Sequence, residues 1–272
     1  MKVYFNTKAF DCLEEKKKLD LTKDVSEADI LVLGAKPVDF SKALKAKAVY
    51  RFGVGQENIP NELLKKGIPS VFFPSEKAKE ILYESTANFT VFLIFQMYYF
   101  PVTGDIDGWI KNNRDFFRKK NLLVIGLGNV GQRVARKMEL FTNVQTYDIR
   151  KNKSEELKSL IALADIIALH IPLSKENENF IDVEKLSWMK SNAILINTSR
   201  GNIVDEEALY QKMQSSNIRA GFDVFWQEPY NGKLKDFDKS KFFMTPHSAS
   251  QTIEFVKEGF GDILKIIKEL SP

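Results

Sequence analysis

The 272-residue chain is poor in the residue types that build disulfides and metal sites. Cys12 is its one cysteine, which excludes an internal disulfide and a zinc site made of cysteines. The two histidines, His170 and His247, are too few for a three-histidine metal centre, and we expect no metal site. If an imidazole takes part in chemistry here, one of these two residues must supply it.

A strong charge of one sign is also missing. Forty Lys and Arg residues against 36 Asp and Glu residues leave a formal net charge of +4. This bias is too weak to predict a nucleic-acid partner, although it would suit a small anionic ligand.

Long hydrophobic runs are absent as well. The longest apolar run, residues 89–102, contains Thr90 and Gln96 and is too short to span a bilayer. It therefore predicts a buried helix and no membrane partner. The residues after Met1 lack the apolar segment of a signal peptide, so we expect a cytoplasmic protein.

What the chain does contain is an alternation of two patterns. Short apolar segments such as 29–34, 121–126 and 193–199 are separated by amphipathic segments. This alternation predicts an α/β fold in which parallel sheets carry helices on both faces. The segments ADILVLG (28–34) and ADIIALH (164–170) are alike, which favours two similar α/β halves.

The strongest motif is glycine-rich and follows the apolar segment 121–125. Gly126, Gly128 and Gly131 have the spacing G-x-G-x-x-G, an amphipathic helix follows, and a second strand-like segment ends in Asp148. The glycines would allow a tight turn, a close approach to a pyrophosphate and close packing of helix on strand. Asp148 would accept hydrogen bonds from ribose hydroxyls and repel a 2′-phosphate, which favours NAD over NADP.

Two alternatives to this interpretation stay open. The glycines could form an ordinary turn between strand and helix, with Asp148 merely ending a strand. The cations just beyond the acid, Arg150, Lys151 and Lys153, also leave room for NADP.

Three further polar residues follow later strand-like segments. Arg200 follows 193–199, Glu228 follows 219–225 and His247 follows Pro246. Singly, each could be an ordinary surface or turn residue. Together they suit hydride transfer to a 2-oxo acid, because histidine can move the alcohol proton, a carboxylate can orient the imidazole, and arginine can bind the substrate carboxylate.

The chain resembles the D-isomer-specific 2-hydroxyacid dehydrogenase family over most of its length. The resemblance is carried by the glycine motif with Asp148 and by LHIPLSKEN (169–177), INTSRGNIVDEEAL (196–209), AGFDVFWQEP (220–229) and TPHSASQT (245–252).

This resemblance implies a fold of two doubly wound parallel-sheet domains with a cleft between them. A Rossmann NAD-binding domain would comprise residues 96–252, and a flavodoxin-like substrate domain would comprise 1–95 and 253–272. It further implies an NAD-dependent oxidoreductase that interconverts a small D-2-hydroxy acid and its 2-oxo acid, and a homodimer.

The resemblance also implies roles for individual residues. Arg200, Glu228 and His247 would be catalytic, with Arg200 holding the substrate carboxylate together with the loop Gly53, Val54 and Gly55. The expected cofactor-binding residues are Gly126, Gly128, Asn129, Val130, Gly131, Asp148, Ile171, Pro172, Asn177, Thr198, Ser199 and Asp223.

Arg51 and His170 each allow two interpretations. Arg51 could be a solvated cation at the end of a strand, which is the simpler one, or a second anion contact in the substrate site. His170 lies within an apolar segment, and we expect it to be structural.

Two other functions remain possible for the same fold. The chain could be an NAD-sensing regulatory protein, or a dehydrogenase of another small anion such as formate or phosphite. The presence of Arg200, Glu228 and His247 favours the enzyme over the binding protein.

Overall fold

The computed structural model describes residues 1–66, 69–100, 104–105, 107–111 and 113–271. The chain divides into two compact units, Met1–Tyr83 with Ser250–Pro272, and Glu84–Ala249. The sequence placed these divisions at 95/96 and 252/253. The first division lies within one continuous helix, Glu76–Tyr99, so no glycine or proline marks it in the sequence.

The first unit is built on a sheet of five parallel strands, as the alternating pattern predicted. These are β1 (Val3–Phe5), β2 (Leu21–Thr22), β3 (Ile30–Leu33), β4 (Ala48–Arg51) and β5 (Ser70–Phe72). Their order, β2-β1-β3-β4-β5, is that of flavodoxin-like folds. Strands β3 and β4 are buried at every position, as expected for a parallel sheet covered on both faces.

Helix α1 (Asn61–Lys66) connects β4 to β5, and α2 (Glu76–Tyr99) follows β5. The second half of α2 contains most of the apolar run 89–102, of which residues 101 and 102 lie outside the described residues. Leu93, Ile94 and Met97 are fully buried, whereas Phe92 is 45% exposed. In the described ranges, no helix is long and apolar enough to cross a membrane.

The second unit contains a sheet of six parallel strands. A short antiparallel pair, β6 (Gly104–Asp105) and β7 (Ile110–Lys111), precedes it. The six strands are β8 (Asn121–Ile125), β9 (Asn143–Tyr147), β10 (Ile166–Leu169), β11 (Ile194–Asn197), β12 (Arg219–Phe222) and β13 (Phe242–Met244). Their order is β13-β12-β11-β10-β8-β9, so the order reverses between β8 and β10. In open parallel sheets, ligands bind outside the carboxyl ends of the strands at such a reversal.

The helices of this unit are α3 (Gly131–Met138), α4 (Glu156–Leu163), α5 (Val183–Trp188) and α6 (Glu206–Ser215). Strands β10 and β11 are buried at every position, because helices cover both faces of the sheet. The prediction of two parallel-sheet α/β units is confirmed.

The last helix, α7 (Ile253–Leu270), belongs to the first unit. Its Phe255 stacks on Phe52, which follows β4, with ring centroids 4.3 Å apart. A methyl group at Gly259 would come within 2.7 Å of the Phe52 ring, so glycine lets the helix lie close to β4.

Asp262 fastens α7 to the rest of its unit. Its buried carboxylate accepts hydrogen bonds from the Tyr50 hydroxyl at 3.2 Å and from the Ser75 N–H at 2.9 Å. One side chain thus connects α7 with β4 and with the start of α2.

We predict that Asp262→Ala lowers the free energy of unfolding by about 2 kcal/mol, because it leaves a buried and a partly buried donor without an acceptor. Urea denaturation followed by circular dichroism measures the change. Glu269→Ala, at an exposed position of the same helix, is the control, with an expected change of at most about 0.5 kcal/mol. Equal losses in the two variants would contradict the role given to Asp262.

Candidate active site

The loops at the carboxyl edge of the six-stranded sheet carry the expected catalytic and cofactor-binding residues. Because the strands are parallel, their carboxyl ends meet at one edge. The residues are Gly126–Gly131 after β8, Asp148 after β9, Ile171, Pro172 and Asn177 after β10, Thr198–Arg200 after β11, Asp223 and Glu228 after β12, and His247 after β13.

The glycine turn has two crowded positions and one open position. Gly126 has φ +95°, and a methyl group there would lie 2.5 Å from the carbonyl oxygen of His170. A methyl group at Gly131 would lie 1.9 Å from the carbonyl oxygen of Gly126. At Gly128 no atom lies within 4 Å of the added group. The turn therefore requires glycine at its ends and leaves an open backbone in the middle, which fits the approach of a pyrophosphate.

Asn129 and Val130 connect the open glycine to α3. Val130 is the residue before the helix and has helical φ and ψ angles, and its carbonyl accepts the N–H of Val134 at 3.0 Å. The carbonyl of Asn129 accepts a hydrogen bond from the Arg133 guanidinium. Both residues thus hold the amino end of α3 next to the turn.

Asp148 is buried and links the end of β9 to the glycine turn. Its Oδ2 accepts the Leu127 N–H at 2.9 Å. The Arg150 guanidinium donates from Nε to Oδ1 at 2.9 Å and from Nη2 to Oδ2 at 2.8 Å. The hydrogen bonds from Arg150 outweigh the effect of burial and, with those from the backbone N–H groups, hold the pKa of Asp148 well below its usual range. Asp148 is therefore an anion at neutral pH.

The segment after β10 packs against the turn. A methyl group at Gly126 would come within 2.9 Å of Ile171 Cγ2, and the carbonyl of Pro172 accepts the Asn177 amide at 3.0 Å. His170 Nε2 is buried and has no hydrogen-bond partner in the described part of the chain. Burial lowers the pKa of His170 to about 3, so this imidazole is neutral at pH 7 and poorly suited to donate a proton.

Arg200 lies in a turn that is braced by Asn197, a residue that sequence reasoning missed. The fully buried Asn197 donates its amide N–H to the Arg200 carbonyl at 2.8 Å and accepts the Ser199 N–H at 2.9 Å. The Thr198 hydroxyl lies 2.8 Å from that of Thr90 on α2. An amide that ends the otherwise apolar strand ILIN was the available signal.

Gly201 brings the Arg200 turn against the segment that leads to Glu228. A methyl group at position 201 would lie 2.1 Å from the carbonyl carbon of Phe225 and 2.4 Å from the nitrogen of Trp226. Only glycine permits this approach. The positive charge of Arg200 helps to lower the pKa of Glu228.

The side chains of Glu228 and His247 are in hydrogen-bond contact. His247 Nδ1 lies 2.8 Å from Oε2 and 3.0 Å from Oε1 of Glu228, and both side chains are about one third exposed, at 35% and 31%. Burial raises the pKa of Glu228, but the hydrogen bond and charge of His247, the Phe225 N–H and Arg200 together lower it below its usual value. The carboxylate is ionised, and it can hold the imidazole in one orientation.

The backbone around His247 is held in an uncommon conformation. His247 has φ +53°, in the left-handed region that non-glycine residues rarely adopt. The fully buried Asp223 fixes this loop, since its carboxylate accepts the Thr245 hydroxyl at 2.6 Å and the N–H groups of Ser248 and Ala249 at 2.9 Å. Strained residues held by their surroundings often occur at functional sites. No pattern in the sequence predicted that Asp223 holds the His247 loop.

In the first unit, Arg51 ends β4 and is only 7% exposed. The simpler expectation, a solvated surface cation, is therefore wrong. Its Nη1 donates to the carbonyls of Phe52 at 2.7 Å and Leu33 at 3.4 Å. Gly53 follows with φ +133°, Val54 is 39% exposed, and Gly55 is partly exposed. The residues form a turn at the carboxyl edge of the first sheet.

Potential metal ligands do not cluster in the part of the chain that the structure describes. No group of three or more His, Cys, Asp or Glu side chains there could hold a metal ion.

Comparison with known proteins gives a consistent result. The family model described as D-isomer specific 2-hydroxyacid dehydrogenase, NAD binding domain, matches residues 107–249. A glyoxylate reductase of Thermofilum pendens is 32% identical over 265 residues, which cover 86% of this chain and 76% of that protein. A hydroxypyruvate reductase of Thermotoga maritima is 30% identical over 275 residues, covering 94% and 90%.

A similar fold occurs in a crystal structure of D-lactate dehydrogenase from Aquifex aeolicus, complexed with NAD and lactic acid. The TM-score is 0.77 at 24% sequence identity, and the match covers 98% of this chain and 94% of that one. The extent of the family and sequence matches shows that this chain belongs to the D-isomer specific 2-hydroxyacid dehydrogenase family and is an oxidoreductase that uses a nicotinamide cofactor.

Proposed function

We propose that the chain interconverts a small D-2-hydroxy acid and its 2-oxo acid with NAD, through His247, Glu228 and Arg200. The contact of 2.8 Å between His247 Nδ1 and Glu228 carries this proposal. It lies at the same edge of the sheet as the glycine turn, and family membership supplies the reaction class.

His247 is proposed as the acid and base. Glu228 engages Nδ1, and Nε2 has no partner in the described ranges, so Nε2 can face the substrate oxygen. The bound nicotinamide would supply or accept the hydride. In reduction, His247 donates its Nε2 proton to the carbonyl oxygen of the substrate, and in oxidation it takes the proton from the hydroxyl group. The Glu228 carboxylate stabilises the imidazolium form that donates.

Arg200 is proposed to bind the carboxylate of the substrate. Its planar guanidinium matches a carboxylate with two parallel hydrogen bonds and can also polarise the adjacent carbonyl group. The supports for this role are structural: Asn197 and Gly201 fix the turn, and Nη1 is oriented by the Ser199 carbonyl at 2.7 Å.

The cofactor is proposed to be NAD rather than NADP. Asp148 is ionised at the end of β9, where it would accept the ribose hydroxyls and repel a 2′-phosphate. Asn129, Val130, Ile171, Pro172, Asn177, Thr198, Ser199 and Asp223 are proposed to line the same site, since they occupy the loops that surround the glycine turn.

In the first unit, the turn at Gly53, Val54 and Gly55 is proposed to offer N–H groups to the substrate, with Arg51 as a further anion contact. The burial of Arg51 and the positive φ of Gly53 support a turn shaped for a ligand rather than a solvated strand end. By analogy with the named relatives, glyoxylate and hydroxypyruvate are the first candidate substrates.

A homodimer in the cytoplasm is the proposed physiological form. Support for the dimer comes from large apolar side chains that are exposed on the second unit, at Phe92, Phe116, Leu140 and Phe141. Burial of such side chains favours association.

We predict that His247→Gln lowers kcat at least a hundredfold, because the proton can no longer be transferred, and leaves the Kd of NADH within about threefold. Stopped-flow measurement of NADH oxidation and fluorescence titration of NADH test the two parts. Activity close to that of the unchanged protein would overturn the assignment of His247.

We predict that Asp148→Ser raises the ratio of kcat/KM for NADPH to that for NADH about tenfold or more, because the 2′-phosphate is no longer repelled. The ratio is measured with one substrate at fixed ionic strength. Lys239→Ala, at an exposed position before β13 on the opposite edge of the sheet, is the control and should leave the ratio within about twofold. A ratio that Asp148→Ser does not change would refute the ribose role.

We predict that NADH oxidation is supported by glyoxylate or hydroxypyruvate in a panel that also contains pyruvate, branched and aromatic 2-oxo acids, and phosphohydroxypyruvate. No turnover with any member would overturn the dehydrogenase proposal.

If Arg51 is a second anion contact, Arg51→Gln raises KM for the phosphorylated substrate about tenfold and KM for glyoxylate less than threefold. Equal effects on both substrates would contradict that contact.

A further inference from the structure

A cavity of about 450 Å³ lies at the amino edge of the six-stranded sheet. Its walls come from residues that precede or begin the strands and from two neighbouring segments. The residues relevant to binding are Lys120 before β8, Asp165 before β10, Arg219 at the start of β12, Lys241 before β13, Tyr98 on α2, and Arg114.

This cavity is separate from the proposed active site. The strands are parallel, so the residues before them lie at the edge opposite the glycine turn, Arg200 and His247. A strand of four or five residues spans roughly 13–17 Å, which sets the distance between the two edges. None of the cavity side chains has a role in the proposed reaction.

The cavity has more positive charge than its own carboxylates balance. Asp115 pairs with Lys120, and Asp165 pairs with Lys190 at 2.8 Å. Arg219, Lys241 and Arg114 have no carboxylate partner within the described ranges, and the guanidinium of Arg114 lies over the Tyr99 ring at 5.2 Å. Three cations thus line the cavity without a carboxylate partner, while its two carboxylates, Asp115 and Asp165, are paired with other lysines.

Of these three cations, Arg219 is held by two hydrogen bonds to backbone carbonyls. Its Nη1 donates to the carbonyls of Met97 at 2.5 Å and Phe100 at 3.0 Å, which fixes the guanidinium against the end of α2. In the part of the chain that the structure describes, Nε and Nη2 have no partner. Burial lowers the pKa of Arg219, which means that its surroundings disfavour the charge. A bound anion would offset that cost.

Lys241 supplies a second donor to the opening. Its Nζ donates to the Ser216 carbonyl at 3.2 Å and lies 5.3 Å from the centroid of the Phe237 ring. An ammonium group has three N–H donors, so it can also donate to a ligand. A fixed guanidinium beside an ammonium group is a combination that binds phosphate oxygens well.

We propose that this cavity is a second ligand site, which binds a small phosphate monoester through Arg219 and Lys241. The site is independent of the proposed hydride transfer. Because Arg219 also holds the last carbonyls of α2, the ligand stabilises the end of that helix and, by mass action, the folded second unit.

The test is a titration of NADH-saturated enzyme with inorganic phosphate at pH 8 and constant ionic strength, followed by thermal shift and calorimetry. NADH is added to occupy the proposed cofactor site, so that phosphate does not bind at the glycine turn. We expect saturable binding that Arg219→Gln and Lys241→Gln each weaken about tenfold, as loss of one charged hydrogen bond predicts. Lys239→Gln, at an exposed position outside the cavity, is the matched control and should bind as the unchanged protein does.

Three results would overturn the proposal: no saturable binding, equal binding by the unchanged protein and by both cavity variants, or binding only when NADH is absent. If Arg219→Gln does not fold, Lys241→Gln decides the question, since its side chain makes a single hydrogen bond to the protein.

Discussion

The parallel alignment of the six strands β8–β13 is the constraint on which the candidate active site depends. The central strands β8, β10 and β11 are short apolar segments buried almost throughout, so the polar groups of the site lie in the loops where the strands end. Parallel direction then places all the following loops at one edge. Residues as distant in sequence as Gly126 and His247 reach the same edge for this reason.

Close approach of the loops depends on a few positions that cannot carry a side chain. At Gly126, Gly131 and Gly201 an added methyl group would lie between 1.9 and 2.5 Å from backbone atoms of another residue. Gly131 keeps α3 against the turn, and Gly201 keeps the Arg200 turn against the segment before Glu228. Gly128 differs, because no protein atom lies near it, and it leaves room for a ligand.

Buried polar side chains complete the site by forming hydrogen bonds with the backbone of the loops. Asn197 satisfies two backbone groups of the Arg200 turn, and Asp223 satisfies two N–H groups and one hydroxyl around His247. Such fully satisfied buried groups rigidify a structure, because each would be costly to leave unpaired. The left-handed backbone of His247 persists since Asp223 holds the residues on both sides of it.

The sequence by itself determined the fold class, the glycine turn with Asp148, and the family, because these depend on local patterns: alternating apolar segments, spaced glycines and an acid at a strand end. Strands as short as β2 and β13, with two and three residues, carry too little pattern to be predicted from the sequence. Only the tertiary structure decided that Arg51 is buried, that Asn197 and Asp223 brace the loops, and that cations without a carboxylate partner meet at the amino edge. These features arise from contacts between residues far apart in the chain, and no local pattern records such contacts.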